Sequence, residues 1–389
     1  MGLKSTILKV AIGGLRFLYA PMKLQKLDNQ IVIISRQSNH PTLDIKLLRE
    51  YIDESYPDVK CVVLCAKLEQ SGAVRYGFHM LHQMWEMSRS KVVLLDGYCI
   101  AASVLHHKKD TRIVQMWHAL AAIKKFGYQT IDKPAGHSRA VAETMHMHRN
   151  YDYVIAASEA TGEHFSKCFN VANDKLVYLG LPRVDEILSP HRILPQEYRE
   201  QGVSAFEESI RNEYDIPKDR EILLYVPTFR KGANVNLEGI IKATNSDNFT
   251  LVVKAHPLYG DMDMGRYADD YNMHVQVIVD KRYTSYQWLS ICNRVVTDYS
   301  ALGVEAALLD KPLYYYVYDI EEYKDNVGLN VDPLDEMPQA TATTSEGLGK
   351  LLENEYDMDE LVKFRNKYVS INKIDCTRQL SEFLVGLMS

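Results

Sequence analysis

The feature that most limits the fold is a repeated alternation: short apolar runs rich in Val, Ile and Leu, separated by longer stretches of helical periodicity. In the first half the runs fall at 31–35, 61–66, 91–95, 112–116, 153–157 and 176–180, with helix-like segments at 43–55 and 137–149. In the second half they fall at 221–230, 249–257, 274–279, 293–300 and 312–318, with helix-like segments at 284–292 and 301–310. Short strands apolar on both faces, with helices between them, belong to parallel sheets covered on both sides. The predicted class is therefore α/β, with two doubly wound domains at 28–188 and 205–389. A polar linker at 189–204 joins them, and a basic segment at 1–27 precedes them. A chain of 389 residues is long enough for two such cores. Two such domains facing one another would place a ligand cleft between the carboxyl ends of their sheets.

Charge excludes one class of partner. With 45 basic and 51 acidic residues, the chain lacks the basic excess of a nucleic-acid-tracking surface. The exception is local: Lys4, Lys9, Arg16, Lys23 and Lys26 all precede the first acid, Asp28, and are interleaved with Ile7, Val10, Leu15, Phe17 and Leu18. This segment reads as a basic amphipathic helix, either lying on an anionic membrane surface or packed on the protein's own core. Its apolar runs are too short to span a bilayer. The cysteines Cys61, Cys65, Cys99, Cys168, Cys292 and Cys376 show neither zinc spacing nor a secreted disulfide pattern, so reduced thiols in the cytosol are expected.

Chemistry in a doubly wound domain is expected at the carboxyl ends of its strands. Met116-Trp117-His118 ends one run abruptly, and a helix-like segment carrying Lys124 and Lys125 follows. In the second half Thr228 and Arg230, then Lys254 and His256, then Thr297 and Ser300 occupy equivalent positions. If Ser300 caps a helix beginning at Ala301, the free N–H groups there form an anion site, with Thr297 and Ser300 adding hydroxyl donors and Glu305 available to ribose hydroxyls. Arg230 offers a planar fork to phosphate oxygens, and a histidine at position 256 can act as acid or base. A satisfied core histidine and solvated surface charge are the plain alternatives for these residues taken singly.

Six segments in order, MWHALAAIKKFG, LGLPRVD, YVPTFRK, VVKAHP, VVTDYSALGVEAALLDKPLYYYVYDIEEY and VGLNVDPLDEMP, resemble the CDP-glycerol:poly(glycerophosphate) glycerophosphotransferase family of bacterial teichoic-acid synthesis. The resemblance implies a GT-B fold of two Rossmann-like domains, the first binding acceptor and the second the CDP-donor, with no metal or other cofactor. It implies His118 and His256 as catalytic residues, and Arg230, Thr228, Thr297, Ser300 and Glu305 as donor-binding. Lys124, Lys125 and Arg183 are implied as acceptor or phosphate contacts. The implied partners are CDP-glycerol or CDP-ribitol, a polyprenyl-diphosphate-linked saccharide acceptor and an anionic membrane surface, which places the chain peripherally on the inner face of the cell membrane. One departure stands out: Ala119-Leu120-Ala121 replaces the family's Gly-Thr-Pro after the histidine, and alanine restricts a backbone that glycine would leave free. A GT-B glycosyltransferase or epimerase acting on a UDP-sugar, and a catalytically degenerate nucleotide-binding member, are the competing readings.

Overall fold

A computed structural model describes residues 3–68, 72–228, 235–254, 274–370 and 375–389. The chain divides into two compact units: residues 1–185, 326–328 and 368–389 in the first, and 186–325 and 329–367 in the second.

The first unit is built on β1 (Asp28–Ser35), β2 (Lys60–Cys65), β3 (Ser90–Leu95), β4 (Arg112–Gln115), β5 (Tyr153–Ala156) and β6 (Leu176–Tyr178), ordered β2-β1-β3-β4-β5-β6 with every pairing parallel. Ile31 pairs with both Cys61 and Val92, and Ile31 to Ile34 are all buried, as an interior strand coated on both faces requires. The order reverses between β1 and β3, and this switch point marks where a ligand crevice is expected.

The second unit holds β7 (Glu221–Val226), β8 (Phe249–Val253), β9 (Gln276–Val279), β10 (Arg294–Thr297), β11 (Leu313–Tyr316) and β12 (Thr341–Ala342), ordered β12-β11-β10-β7-β8-β9 and again parallel throughout. Counted from β7, this is the 3-2-1-4-5-6 order of dinucleotide-binding domains, with its switch point between β7 and β10. Two parallel, Rossmann-like sheets therefore stand as expected from the sequence.

The boundaries need two corrections. Residues 189–204 are not a bare linker: a helix at Pro190–Ile193 and a 3-10 turn at Gln196–Tyr198 belong to the second unit, with Leu194 buried and the Tyr198 hydroxyl 2.6 Å from Ser209 Oγ. The stretch 368–389, expected in the second domain, returns to the first. Its helix Cys376–Gly386 packs on the helix Leu43–Ser55, and the buried carboxylate of Asp185 accepts from the N–H groups of Asp375, Cys376 and Thr377 at 2.8, 2.8 and 2.9 Å. Those N–H groups open the helix and have no partner within it, so an acid placed on them also opposes the helix dipole.

The N-terminal helix, Leu3–Met22, turns one face inward. Ile12 and Tyr19 join the first unit's core, Arg16 Nε donates to the Val104 carbonyl at 2.9 Å, and the Tyr19 hydroxyl lies 3.1 Å from His107 Nδ1. Its other face leaves Ile7, Val10, Phe17 and Leu18 exposed. All six cysteines are free; burial pushes the Cys61 thiol up to about 12 and Cys65 to about 11, so neither is a reactive thiolate.

Asp185→Ala should lower the stability of the protein by about 2 to 4 kcal/mol, because three helix-opening N–H groups lose a charged acceptor. Urea unfolding measures the loss, and limited proteolysis should cut first between residues 368 and 389.

Candidate active site

Each sheet gathers polar side chains at its switch point. In the first unit the buried Ser35, which ends β1, donates its hydroxyl to Asp96 Oδ2 at 2.6 Å, and Asp96 directly follows β3. Burial raises the Asp96 carboxyl to about 6, against the opposing Ser35 and Arg36 hydrogen bonds. His118 follows β4 by three residues, and its Nδ1 lies 2.9 Å from the Asp96 main-chain carbonyl. A carbonyl can only accept, so Nδ1 carries the proton and Nε2 carries the lone pair. Burial lowers the His118 pKa to about 4; the Asp96 hydrogen bond opposes this, while the positive charges of Arg183 and Lys124 reinforce it. The imidazole is therefore neutral at physiological pH, the state a general base needs.

The turn that presents His118 is made by its neighbour. Trp117 adopts φ 59, left-handed and costly for a bulky residue. It is held there because the buried Gln115 side chain accepts from its N–H at 2.9 Å and because its ring stacks on Phe126 at 4.4 Å and 6°. Gln115 is itself fixed by donating to the Gly97 carbonyl, with the Tyr151 hydroxyl also 3.0 Å from Nε2. The expected helix after His118 does not form. Leu120, Ala121, Ala122 and Ile123 are all buried in succession, a pattern with no solvent face for a helix, and the chain runs irregularly to a 3-10 turn at Gly127–Thr130. The left-handed residue is Trp117 and not Ala119, so alanine in place of the family's glycine carries no strain here.

Arg183, expected to contact a phosphate, is bound to Asp44: its N–H lies 2.8 Å from Oδ1 and its Nε 2.9 Å from Oδ2, with the carboxylate buried. The arginine expected on a phosphate thus forms an internal ion pair with Asp44, which lies in the first turn of the helix Leu43–Ser55. The Lys125 N–H donates to the Gly328 carbonyl at 3.0 Å, and Gly328 has φ 87, with Lys125 Cδ only 2.9 Å from where a Cβ would stand.

In the second unit the Thr228 N–H donates to Asp298 Oδ1 at 2.8 Å, which ties the ends of β7 and β10 together. Thr297 is a correction: its hydroxyl donates to the Val226 carbonyl at 2.7 Å in a fully buried position, so its one proton goes to the sheet and not to a phosphate. The following helix is Leu302–Leu308, one residue later than expected, and Ser300 Oγ accepts from the Leu302 N–H at 3.3 Å. Glu305 is buried and accepts from the Tyr286 hydroxyl at 3.1 Å. Lys254 is also inward: its ammonium bonds the Asp280 carbonyl and carboxylate and the Tyr283 carbonyl at 2.6, 3.0 and 2.6 Å. Burial works to raise the Asp280 pKa, but hydrogen bonds from Trp288, Tyr214 and Lys254 outweigh it and hold the carboxyl below its ordinary value. Arg230 and His256 lie outside the described residues.

Sequence reasoning missed Ser35, Asp96, Asp280 and Asp298, although each ends or directly follows a strand and the rule that singled out His118 would have found them. Asp44 carries no such signal. Among the described residues, no group of three His, Cys, Asp or Glu side chains is arranged to hold a metal ion.

Residues 18–385 match the family described as CDP-Glycerol:Poly(glycerophosphate) glycerophosphotransferase. The chain belongs to this family. Among its relatives, the teichoic acid ribitol-phosphate primase of Bacillus spizizenii is 26% identical over 306 residues, 76% of this chain and 74% of the relative. The teichoic acid glycerol-phosphate primase of Bacillus subtilis is 26% identical over 347 residues, 87% of this chain and 82% of the relative. The fold is similar to that of the wall teichoic acid polymerase TagF, with TM-score 0.68 at 17% identity over 99% of this chain and 97% of that one. It is also similar to that of S. aureus MnaA solved with UDP, with TM-score 0.60 at 12% identity over 93% and 97%. Family membership confirms the resemblance carried by the six motifs.

The titrating groups of the first unit give a signed expectation. His118 (about 4), His107 (about 4) and His148 (about 3), all lowered first by burial, resist the protons that an unfolded chain takes up near 6.5. Their stabilising effect is full above pH 6.5 and is lost as pH falls toward 4. Asp96, raised to about 6, acts the other way, favouring the native state below 3.8 and losing that effect as pH rises through 6. Three groups outweigh one, so the urea midpoint should fall between pH 6.5 and 4, and His118→Gln should flatten that slope.

Proposed function

We propose that this chain transfers glycerol phosphate or ribitol phosphate from the matching CDP-polyol to a lipid-linked teichoic-acid precursor, releasing CMP. The observation that carries this reading is the Asp96 carbonyl on His118 Nδ1, which leaves Nε2 a neutral proton acceptor at a strand end in a chain of this family. The two primases, one for each polyol phosphate, are equally identical to the chain, and a TagF variant has been solved after a soak with CDPG. Both facts support a CDP-polyol donor.

In the proposed reaction the acceptor hydroxyl oxygen attacks the β-phosphorus while its proton passes to His118 Nε2. The bond from that phosphorus to the bridging oxygen breaks, and CMP leaves with the electron pair. Little covalent chemistry falls to the protein, so positioning and fixed positive charge do most of the work. Arg230 and His256 are proposed to hold the donor diphosphate, with His256 donating to the charge that develops on CMP. Thr228 and Ser300 are proposed to line the donor site, and Glu305 to accept from the ribose. Lys124, whose charge already reaches His118, is proposed to steady the phosphate as it transfers.

The N-terminal helix supports a peripheral membrane role. Phe17 is 80% exposed, Val10 71% and Leu24 87%, and the adjoining helix Ala73–Arg89 adds Val74 and Phe78 at 75% and 70%. Arg16 is turned into the core, so Lys9, Lys23 and Lys26 carry the described positive charge, at about 1 kcal/mol each near an anionic surface. No described helix is long and apolar enough to cross a membrane.

His118→Ala should lower kcat by about 10² to 10⁴ while leaving CDP-glycerol affinity unchanged by calorimetry. Activity within a few-fold of the parent refutes the assignment of the base. Mass spectrometry of the product on a lipid-linked disaccharide, supplied with each CDP-polyol, reads the polyol and the number of units added. Val10→Glu with Phe17→Glu should release the protein from anionic liposomes at low salt without unfolding it; retained sedimentation places the membrane contact elsewhere.

A further inference from the structure

Beside His118, within the first unit, lies a cavity of about 520 Å³. That volume is in the range of small-ligand sites, about 300 to 1,000 Å³. Its walls are mainly apolar, with Leu8 of the N-terminal helix, Trp117, Phe126 and Met145 among them, but two cationic residues, Arg36 and Lys125, also line it. Arg36 Nη1 donates to the Tyr98 carbonyl at 3.2 Å, while its Nε is buried and has no hydrogen-bond partner among the described residues. Cations set among apolar walls favour an anionic ligand, whose oxygens a guanidinium and an ammonium can meet.

We propose that this cavity seats a single apolar chain bearing a phosphate or diphosphate head, with Arg36 and Lys125 on the head and the apolar walls on the first carbons of the chain. A purely apolar occupant would leave the two cations without a counter-charge, and a small polar anion would leave the rest of the cavity unfilled. Leu8 makes the N-terminal helix one wall, and the opposite face of that helix carries the exposed Val10 and Phe17. Identifying this occupant as the prenyl-diphosphate anchor of the acceptor rests on the function proposed above.

The placement gives such an anchor a second effect. Trp117 lines the cavity with a ring 4.3 Å from that of His118, and it holds the left-handed turn that presents the histidine. A filled cavity packs against the stacked Trp117 and Phe126 rings that hold that turn. An acceptor with an anchor thus sets the base, and one without it does not.

Calorimetry on the full chain with farnesyl diphosphate, inorganic diphosphate and farnesol tests the site. Farnesyl diphosphate should bind at least about tenfold tighter than either of its parts. Val141→Trp, which fills the cavity, and Ala135→Trp, at its exposed rim, should each weaken that binding by about tenfold or more while leaving CDP-glycerol affinity as it was. Arg36→Gln should bring farnesyl diphosphate down toward farnesol. Equal binding of inorganic and farnesyl diphosphate overturns the proposal in favour of a plain anion site, and binding unaffected by both tryptophans places the ligand elsewhere. In the transfer assay, a soluble disaccharide lacking the prenyl chain should lose kcat as well as affinity in the parent, and the tryptophan variants should treat the two acceptors alike. Farnesyl diphosphate binding as described, without any transfer of polyol phosphate, would refute the reaction and leave the site standing.

Discussion

A parallel sheet covered on both faces can offer polar chemistry only where its strands stop. Ile31 to Ile34, Val92 to Leu95 and Leu223 to Tyr225 are all buried, and their main-chain groups are used sideways, strand to strand. Any side chain that must titrate, donate or bind is pushed to the carboxyl ends, where the crossovers leave room. The two switch points obey this rule in different ways. The first sheet uses Ser35, Asp96 and His118 to orient an imidazole, and the second uses Asp298 to clamp Thr228 against the end of β10.

Much of this was legible in the sequence because the constraint that shapes the sheets also shapes their composition. Short apolar runs mark buried strands, and the first five residues of 221–230 and of 249–257 fall inside β7 and β8. Both strands end before the runs do, because a strand's last apolar residues and its first turn look alike in composition. His118 draws attention because it stands where a strand stops. What could not be read was direction. Lys254 and Thr297 also sit at strand ends, but one bonds Asp280, 26 residues away, and the other the Val226 carbonyl, 71 residues away. Whether a polar group at a strand end faces a ligand or the protein depends on partners fixed only when the chain folds. The same holds for the return of residues 368–389 to the first unit: their helix is amphipathic wherever it packs, and partners distant in sequence, Asp185, Lys91 and Tyr153 among them, hold it there.

The left-handed Trp117 shows how a locally unfavourable residue is kept. Its own backbone preference opposes φ 59, and it persists because Gln115, Phe126 and Phe169 together over-determine it. Gln115 is held in turn at Gly97 and Tyr151. Strain at Trp117, next to the histidine, is therefore supported by residues with no polar contact to His118.

The chain's passage from the first unit to the second and back sets an order in time. Asp185 and the helix it caps are separated by 190 residues. At a synthesis rate of about 5 to 20 residues per second, Asp185 waits roughly 10 to 40 s on the ribosome before its partner is made. During that interval the second unit, whose residues all lie between the two, can be completed, while the helix Leu43–Ser55 of the first stands without the cover of Cys376–Gly386. A nascent chain of this topology exposes an apolar helix face in its first domain until its second has already been synthesised, and that face is where a holding chaperone would find it.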